Sequence, residues 1–123
     1  MTSQTLSQWF TVEQEGAVTI VRFAHAAILA DEVVDYIREQ LSEMVAEGRR
    51  RFVLNFGRVT GLASRTLGVL VGLHKKLEAV GGRLVLCEVS PFLYEFFETA
   101  HLPGLLCIRG GEEEAVRALT PSP

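Results

Sequence analysis

Residues 51–82 read RFVLNFGRVTGLASRTLGVLVGLHKKLEAVGG, and most of the architecture can be worked out from this stretch. Its first part, residues 51–56, is a short run of mainly apolar residues and predicts a buried β-strand. A polar, glycine-containing loop follows. Apolar residues at helical spacing then predict a helix from about residue 65 to residue 80, which ends at Gly81-Gly82. A strand, a loop and a helix in this order form one unit of a parallel α/β fold.

The same unit recurs further along the chain. Residues 83–87, RLVLC, predict a second buried strand, after which Ser90 is the predicted N-cap of a helix that begins at Pro91. Residues 102–104, LPG, break that helix. A last short strand is predicted over 105–108 and a last helix over 112–119.

The chain begins with a predicted β-hairpin, in which the β-prone segments 9–12 and 17–23 are joined by residues 13–16. Asp31 is the predicted N-cap of a helix that ends at Gly48. The predicted order is β-β-α-β-α-β-α-β-α. Strands separated by helices run parallel, so this is an α/β fold with a mixed sheet covered by helices.

Composition predicts one ordinary globular domain. The 123 residues are 48% hydrophobic and 22% charged, and we expect a single domain over 1–123 with its core at about 8–119 and a frayed tail at 120–123. With 12 basic and 15 acidic residues the net charge is −3, which argues against a nucleic-acid partner. Neither a signal sequence nor an apolar run of about 20 residues is found, so a cytoplasmic protein without membrane insertion is predicted.

The usual signatures of catalysis are absent from the sequence. It has no phosphate-binding loop, no Gly-x-Ser-x-Gly motif, and no metal-ligand spacing among His25, His74 and His101. A protein that is not an enzyme and needs no cofactor or metal is therefore predicted. Cys87 and Cys107 lie in apolar surroundings and are expected to be buried free thiols.

Two charge runs are explained by local structure. Arg49, Arg50 and Arg51 follow the first predicted helix, where cations complement the free carbonyl groups of a helix end. Glu112, Glu113 and Glu114 are in a first helical turn, where acids interact favourably with free amides. Neither run is assigned a function on this evidence.

Residues 54–70, LNFGRVTGLASRTLGVL, resemble the signature of the STAS family, in the branch of the anti-sigma factor antagonists. Members carry an apolar strand with Asp, a loop containing Val, an Asp-Ser-Ser-Gly or Asp-Ser-Thr-Gly stretch, and then Leu-Gly and an apolar helix. Residues 81–86, 89–91 and 102–108 also look like later parts of that family. The resemblance covers about residues 8–119 and implies the same order of elements as the one predicted above.

The resemblance implies a regulatory binding module. In the family, a serine kinase of histidine-kinase-like ATPase type is also the anti-sigma factor; it phosphorylates the antagonist, and the unphosphorylated antagonist binds it and frees the sigma factor. For this chain, the resemblance implies such a partner, docked through the loop and helix start at 61–68. The residues expected to bind it are Arg58, Gly61, Ala63, Ser64, Arg65, Thr66, Leu67 and Gly68.

This sequence departs from the family pattern at the site of phosphorylation. When Leu67-Gly68 is aligned with the family's Leu-Gly, Ala63 replaces the aspartate, Arg65 replaces the usual acceptor and Thr66 replaces the glycine. Ser64 and Thr66 remain as candidate phosphoacceptors, although Ser64 is equally suited to cap the helix. Alternatively, Arg65 makes the domain a binder that is never phosphorylated and that prefers an acidic partner.

Two other classes of function stay open at this stage. STAS domains also occur beside transport machinery, which suggests a soluble subunit of an ABC-type or other membrane transporter. The helix start could instead bind a small anion in a ligand-binding protein or enzyme. Self-association into a homodimer is not decided by the sequence, nor is the hypothesis that His74, Lys75 and Lys76 extend a basic stripe from Arg58 and Arg65.

Overall fold

The computed structural model describes residues 4–6 and 8–120. Its strands are β1 (Gln4–Leu6), β2 (Phe10–Glu15), β3 (Val18–Phe23), β4 (Ala27–Ile28), β5 (Arg51–Asn55), β6 (Gly61–Leu62), β7 (Arg83–Cys87) and β8 (Cys107–Arg109). Its helices are α1 (Asp31–Ala46), α2 (Ser64–Ala79), α3 (Pro91–Thr99) and α4 (Glu112–Leu119), and a 3-10 turn covers Leu102–Gly104.

The main sheet has six strands in the order β1-β2-β3-β5-β7-β8. β1, β2 and β3 pair antiparallel, whereas β3, β5, β7 and β8 run parallel to one another. The predicted mixed α/β sheet is therefore confirmed. β4 and β6 form a separate two-stranded parallel sheet, which, like β1, was not predicted.

The first hairpin is longer than predicted. Residues 13–15 were expected to be part of the connection, but Glu13, Gln14 and Glu15 pair with Ile20, Thr19 and Val18. The turn is therefore reduced to residues 16 and 17. These polar residues still form a strand because the neighbouring backbone satisfies their hydrogen bonds, whatever their side chains.

The sheet is covered on both faces. Helices α1, α2 and α3 pack on one face in the larger core, which includes Phe52, Leu54, Leu84 and Leu86. Helix α4 packs on the other face, where Val53, Val85, Ala115 and Leu119 form a smaller core. Because neighbouring residues of β5 and β7 are buried on opposite faces, these strands are continuous apolar runs, as the sequence indicated.

The predicted glycine helix ends are confirmed. Gly48 has φ +106° and follows α1, and Gly81 has φ +78° and follows α2. Beyond α1, the amides of Gly48 and Arg49 donate to carbonyl groups of the last turn at 3.0 and 3.1 Å. This paired hydrogen bonding around a left-handed residue is the Schellman motif, which glycine adopts without a steric cost.

The predicted N-caps had different outcomes. The Ser90 hydroxyl accepts a hydrogen bond from the Leu93 amide at 3.2 Å, and Pro91 is the first residue of α3, as predicted.

Asp31 and Ser64 are not caps, because each is the first residue of its helix. The cap residues are Ala30 and Ala63, which make no side-chain cap hydrogen bond. Backbone pairing fixes where the chain enters α2, since the amide of Ala63 donates to the carbonyl of Ile28 at 3.0 Å.

Candidate partner-binding site

The loop that was expected to bind a partner lies at the carboxyl end of the parallel strands. β5 and β7 end side by side, where Asn55 pairs with Cys87 and the amide of Phe56 donates to the Cys87 carbonyl at 3.0 Å. Residues 56–63 then connect β5 to the start of α2. Functional loops gather at this end of open parallel sheets, because each strand delivers its following loop there.

A second segment lies beside this loop. Ala27 and Ile28 pair with Gly61 and Leu62, and the amide of Thr60 donates to the Ala26 carbonyl at 2.7 Å. Residues 26–30 and 58–68 therefore form one surface, which we call the recognition face.

The sequence did not assign the segment 26–30 to the site. Leu29 within it is 57% exposed, and Ala26, Ala27 and Ala30 are exposed as well. The available signal was an apolar run, AAILA, between a strand and a helix without helical or strand periodicity. Phe92, at the start of α3, is a further missed residue at this end of the sheet and is 69% exposed.

The two candidate phosphoacceptors differ in accessibility. Ser64 is exposed in the first turn of α2, whereas Thr66 is buried at 6% exposure. The hydroxyl oxygen of Thr66 makes no hydrogen bond within the described part of the chain. A kinase can therefore reach Ser64 on the folded protein, but it could reach Thr66 only if the start of α2 opened.

Arg65 is held by helix α1. Its Nη2 lies 2.5 Å from Asp35 Oδ1, and its Nη1 lies 3.7 Å from Asp31 Oδ1. The hydrogen bond from Arg65 lowers the pKa of the Asp35 carboxyl and, reciprocally, the bond to Asp35 raises the pKa of Arg65. The cation at the usual acceptor position thus joins α2 to α1, and its charge is largely compensated within the chain.

The other predicted binding residues are spread along the same face. Arg58 is exposed in the turn before β6, and Gly61 and Ala63 are half-buried beside the segment 26–30. Leu67 is half-buried and packs against the larger core, while Gly68, the next residue of α2, is exposed.

A polar network at the carboxyl ends of β3 and β5 was also missed. Both carboxylate oxygens of Glu112 accept hydrogen bonds from Arg22, from Nε at 2.8 Å and from Nη2 at 2.6 Å. Asn55 Nδ2 donates to Glu112 at 2.7 Å, and Arg22 also pairs with Glu13. These bonds, above all those from Arg22, lower the pKa of Glu112. The acid that was expected only to favour helix amides thus joins α4 to β3 and β5.

The remaining charge and thiol predictions were partly right. Arg50 Nη1 donates to the carbonyl of Val45 at 2.8 Å, at the end of α1, as expected of this arginine run. Cys87 is a buried free thiol, and burial raises its pKa to about 12. Cys107 is a free thiol but only half-buried, because β8 is the edge strand of the sheet.

Within residues 4–6 and 8–120, no three His, Cys, Asp or Glu side chains are grouped closely enough to hold a metal ion. In the same residues, no helix has the length and apolar character needed to cross a bilayer.

Comparison with known proteins agrees with this architecture. The STAS domain family model matches residues 10–115. A Bordetella bronchiseptica protein named as an anti-sigma factor antagonist, BtrV, is 33% identical over 84 residues, which are 68% of this chain and 72% of that protein.

Solved structures are similar over nearly the whole chain. A Thermotoga maritima protein described as an anti-sigma factor antagonist has a TM-score of 0.81 at 19% identity, with 89% of this chain and 93% of that chain covered. The phosphorylated form of the Bacillus cell fate determinant SpoIIAA has a TM-score of 0.71 at 26% identity, covering 90% and 99%.

The fold is a small α/β domain with a mixed sheet covered by helices. This chain belongs to the STAS family, and its relatives are named as anti-sigma factor antagonists.

Proposed function

We propose that this chain is an anti-sigma factor antagonist that docks an anti-sigma factor through the recognition face. The main support is the exposure of Ser64 in the first turn of α2, directly beside the exposed apolar segment 26–30. An exposed apolar patch with polar residues at its edge is typical of a protein-binding surface. The 33% identity to BtrV favours the same activity.

The proposed partner is a serine kinase with a histidine-kinase-like ATPase domain. Leu29 would provide the apolar centre of the contact, because its large exposed side chain would be removed from water when the partner binds. The domain then acts by binding in the cytoplasm, without catalysis, cofactor or nucleic acid, and residues 8–119 serve as one unit.

We further propose that Ser64 is the phosphoacceptor. The kinase would transfer the γ-phosphoryl group of ATP to Ser64 Oγ, with loss of the hydroxyl proton and release of ADP. A phosphoserine adds nearly two negative charges to the middle of the docking surface, which would expel the partner. Arg65 is bound to Asp35, so it is not positioned to neutralise that phosphate.

The alternative of a transporter subunit has less support. BtrV, which is 33% identical to this chain, is named as an antagonist. The exposed Ser64 also suits a kinase that both binds and modifies the same face.

The first prediction concerns complex formation. We expect one of the histidine-kinase-like serine kinases of the same organism to bind this protein in titration calorimetry. Leu29→Asp and Ser64→Glu should each weaken that complex by about tenfold or more, because each places a charge in a contact that excludes water. Intact-mass spectrometry after incubation with the kinase and ATP should show one added phosphoryl group, which Ser64→Ala abolishes.

Leu105→Asp is the matched control, because Leu105 is 43% exposed but lies before β8, at the opposite end of the sheet. It should bind normally. Equal binding by the wild type, Leu29→Asp and Ser64→Glu would disprove the docking face. A phosphoryl group that persists in Ser64→Ala would disprove the acceptor.

A further inference from the structure

A tight turn at the start of the loop 56–63 carries Arg58. The amide of Val59 donates to the carbonyl of Phe56 at 3.0 Å and closes this turn, whose central residues are Gly57 and Arg58. Both central residues are exposed, whereas Phe56 and Val59 are buried in the larger core. The turn therefore projects from a connection that is anchored on both sides.

The side chain of Asn55 holds the first residue of this turn. Its Oδ1 accepts a hydrogen bond from the amide of Gly57 at 2.8 Å, which is the arrangement of an Asx-turn. Other amides of the loop donate to backbone carbonyl groups, namely those of Phe56, Val59, Thr60, Gly61 and Ala63. Within the described residues, the amide of Gly57 is thus the one in this loop that a side chain holds.

Glu112 fixes which way the Asn55 amide group faces. A side-chain amide can turn either its oxygen or its NH₂ group to a neighbour, but an ionised carboxylate only accepts hydrogen bonds. Asn55 Nδ2 donates to Glu112 Oε2 at 2.7 Å, so the oxygen of the amide is turned to Gly57. Arg22 holds the carboxylate in turn, through Nε at 2.8 Å and Nη2 at 2.6 Å. The orientation of Asn55 is therefore set from α4 and β3.

The backbone of the turn lies close against Asn55. A Cβ built on Gly57 would be 3.0 Å from Asn55 Oδ1 and 3.4 Å from the Cβ of Glu88. Because the turn has so little free space on this side, a change in the Asn55 side chain is transmitted to the backbone that follows it.

The position of Arg58 depends on that backbone. Its guanidinium makes no hydrogen bond or ion pair within residues 4–6 and 8–120. Arg65, by contrast, is bound by Asp35 of α1. A charge at a binding surface contributes according to where it is held relative to the partner. For Arg58, the turn alone determines that place.

We propose that Asn55 is a positioning residue for docking: oriented by Glu112, it sets the turn that places Arg58 in the recognition face. It acts through the amide of Gly57 and not through a contact of its own with the partner. The effect on docking rests on the proposed function, whereas the effect on the turn rests on the hydrogen bonds alone.

The first test measures the turn without a partner. In hydrogen exchange followed by ¹H–¹⁵N spectra, the Gly57 amide should exchange about fivefold faster in Asn55→Ala than in the wild type, because its acceptor is lost. Asn55→Asp retains an acceptor oxygen, so exchange there should stay within about twofold of the wild type. The amide of Thr60, which donates to the Ala26 carbonyl, is the internal reference and should not change.

The second test separates positioning from stability. Asn55→Ala should weaken the complex with the kinase by about fivefold. Asn55→Asp should bind within about twofold of the wild type, although its carboxylate faces Glu112 and lowers the free energy of unfolding. Where Asn55→Asp folds poorly, adding Glu112→Gln supplies an NH₂ group to that carboxylate, which should restore stability while Gly57 keeps its acceptor. If Asn55 were only structural, binding would follow stability in all three variants.

A double-mutant cycle tests whether Asn55 acts through Arg58. Arg58→Ala should weaken the complex by about fivefold, whereas Arg117→Ala, the same change at an exposed site on α4, should have an effect below about twofold. In the Arg58→Ala background, Asn55→Ala should weaken binding by less than about a further twofold, because no cation is left to position.

Three outcomes would overturn the inference. One is equal exchange of the Gly57 amide in the wild type and Asn55→Ala. Another is a loss of binding in Asn55→Asp as large as that in Asn55→Ala, and the third is full additivity of Asn55→Ala and Arg58→Ala. A wild-type protein that binds no kinase would instead refute the proposed function, and exchange at Gly57 would then decide alone whether Asn55 positions the turn.

Discussion

Asn55 illustrates how one amide supports a charged network. It donates to Glu112, which Arg22 also binds through two hydrogen bonds, and these contacts lower the pKa of the Glu112 carboxyl. A lowered pKa means that the folded state favours the charged form. The stabilisation from Glu112 is therefore complete above its ordinary value of 4.5 and is lost as the pH falls through the lowered value.

The second prediction concerns the loss of the hydrogen bond from Asn55 to Glu112. Asn55→Asp replaces a hydrogen-bond donor with a carboxylate facing Glu112, so we expect a loss of about 1–3 kcal/mol in the free energy of unfolding at pH 7. Urea denaturation measures it. The loss should shrink as the pH is lowered and one of the two carboxyl groups binds a proton. Gln8→Glu, an exposed control, should change stability little, and a loss that does not depend on pH would contradict the electrostatic cause.

The ion pairs of Arg65 show which contacts of a single residue cannot be predicted from the sequence. Its cation was predicted to face a partner, but Asp31 and Asp35 bind it. These acids are 30 or more positions earlier in the chain, and only the packing of α1 against α2 brings them close. The exposure of Ser64 and the burial of Thr66 likewise depend on how α2 is rotated against the sheet.

At the scale of elements, the ends of α2 are fixed by backbone contacts. Gly81 follows the helix with a positive φ, and the next residue, Gly82, lies against Arg50, directly before β5. A Cβ on Gly82 would be 2.4 Å from the carbonyl oxygen of Arg50 and 3.0 Å from a methyl carbon of Leu77. The same Arg50 carbonyl accepts a hydrogen bond from Arg83, which starts β7.

The third prediction compares two glycines at the middle and end of this element. Gly82→Ala should destabilise the protein by about 1–3 kcal/mol, because the backbone at Arg50 must move to admit the methyl group. Gly72→Ala should instead stabilise it by up to about 1 kcal/mol, because its Cβ meets open space within an exposed helix. Urea unfolding of both variants checks the pair, and equal effects would show that the close approach at Gly82 is unimportant.

The elements that were predicted correctly are those whose signal is local. β5 and β7 are buried on both faces and appear as apolar runs, and the glycines after α1 and α2 adopt the conformation that glycine favours. β4 and β6 have only two residues each, which is too short for periodicity to show. The pairing of β4 with β6 keeps the chain extended up to Ala30 and Ala63, which are therefore the cap residues. Asp31 and Ser64 come one position later, as the first residues of their helices.

At the scale of the whole molecule, the sheet separates two cores of unequal size. Cys87 lies in the smaller core under α4, at the end of β7, whereas Cys107 lies on the edge strand. The two free thiols therefore differ in how accessible they are to a reagent in solution. Burial raises the pKa of Cys87 to about 12, which further suppresses its reactive thiolate.

The fourth prediction uses this difference. With a thiol reagent at pH 8, Cys107 should react first, and Cys87 should react more slowly by a factor of about 100 or more, because its exposure requires opening of the central sheet. In Cys107→Ser the remaining reaction should follow the rate of global unfolding measured in urea. Fast labelling of Cys87 in that variant would show that α4 detaches from the sheet independently.

The small β4–β6 sheet has a mechanical consequence for the recognition face. It joins two stretches that are more than thirty positions apart by backbone hydrogen bonds, so that a displacement of one stretch would break its bonds to the other. A covalent group attached at Ser64 would therefore change how Leu29 is exposed, because these residues lie just after the paired strands β6 and β4. The main sheet would not have to change.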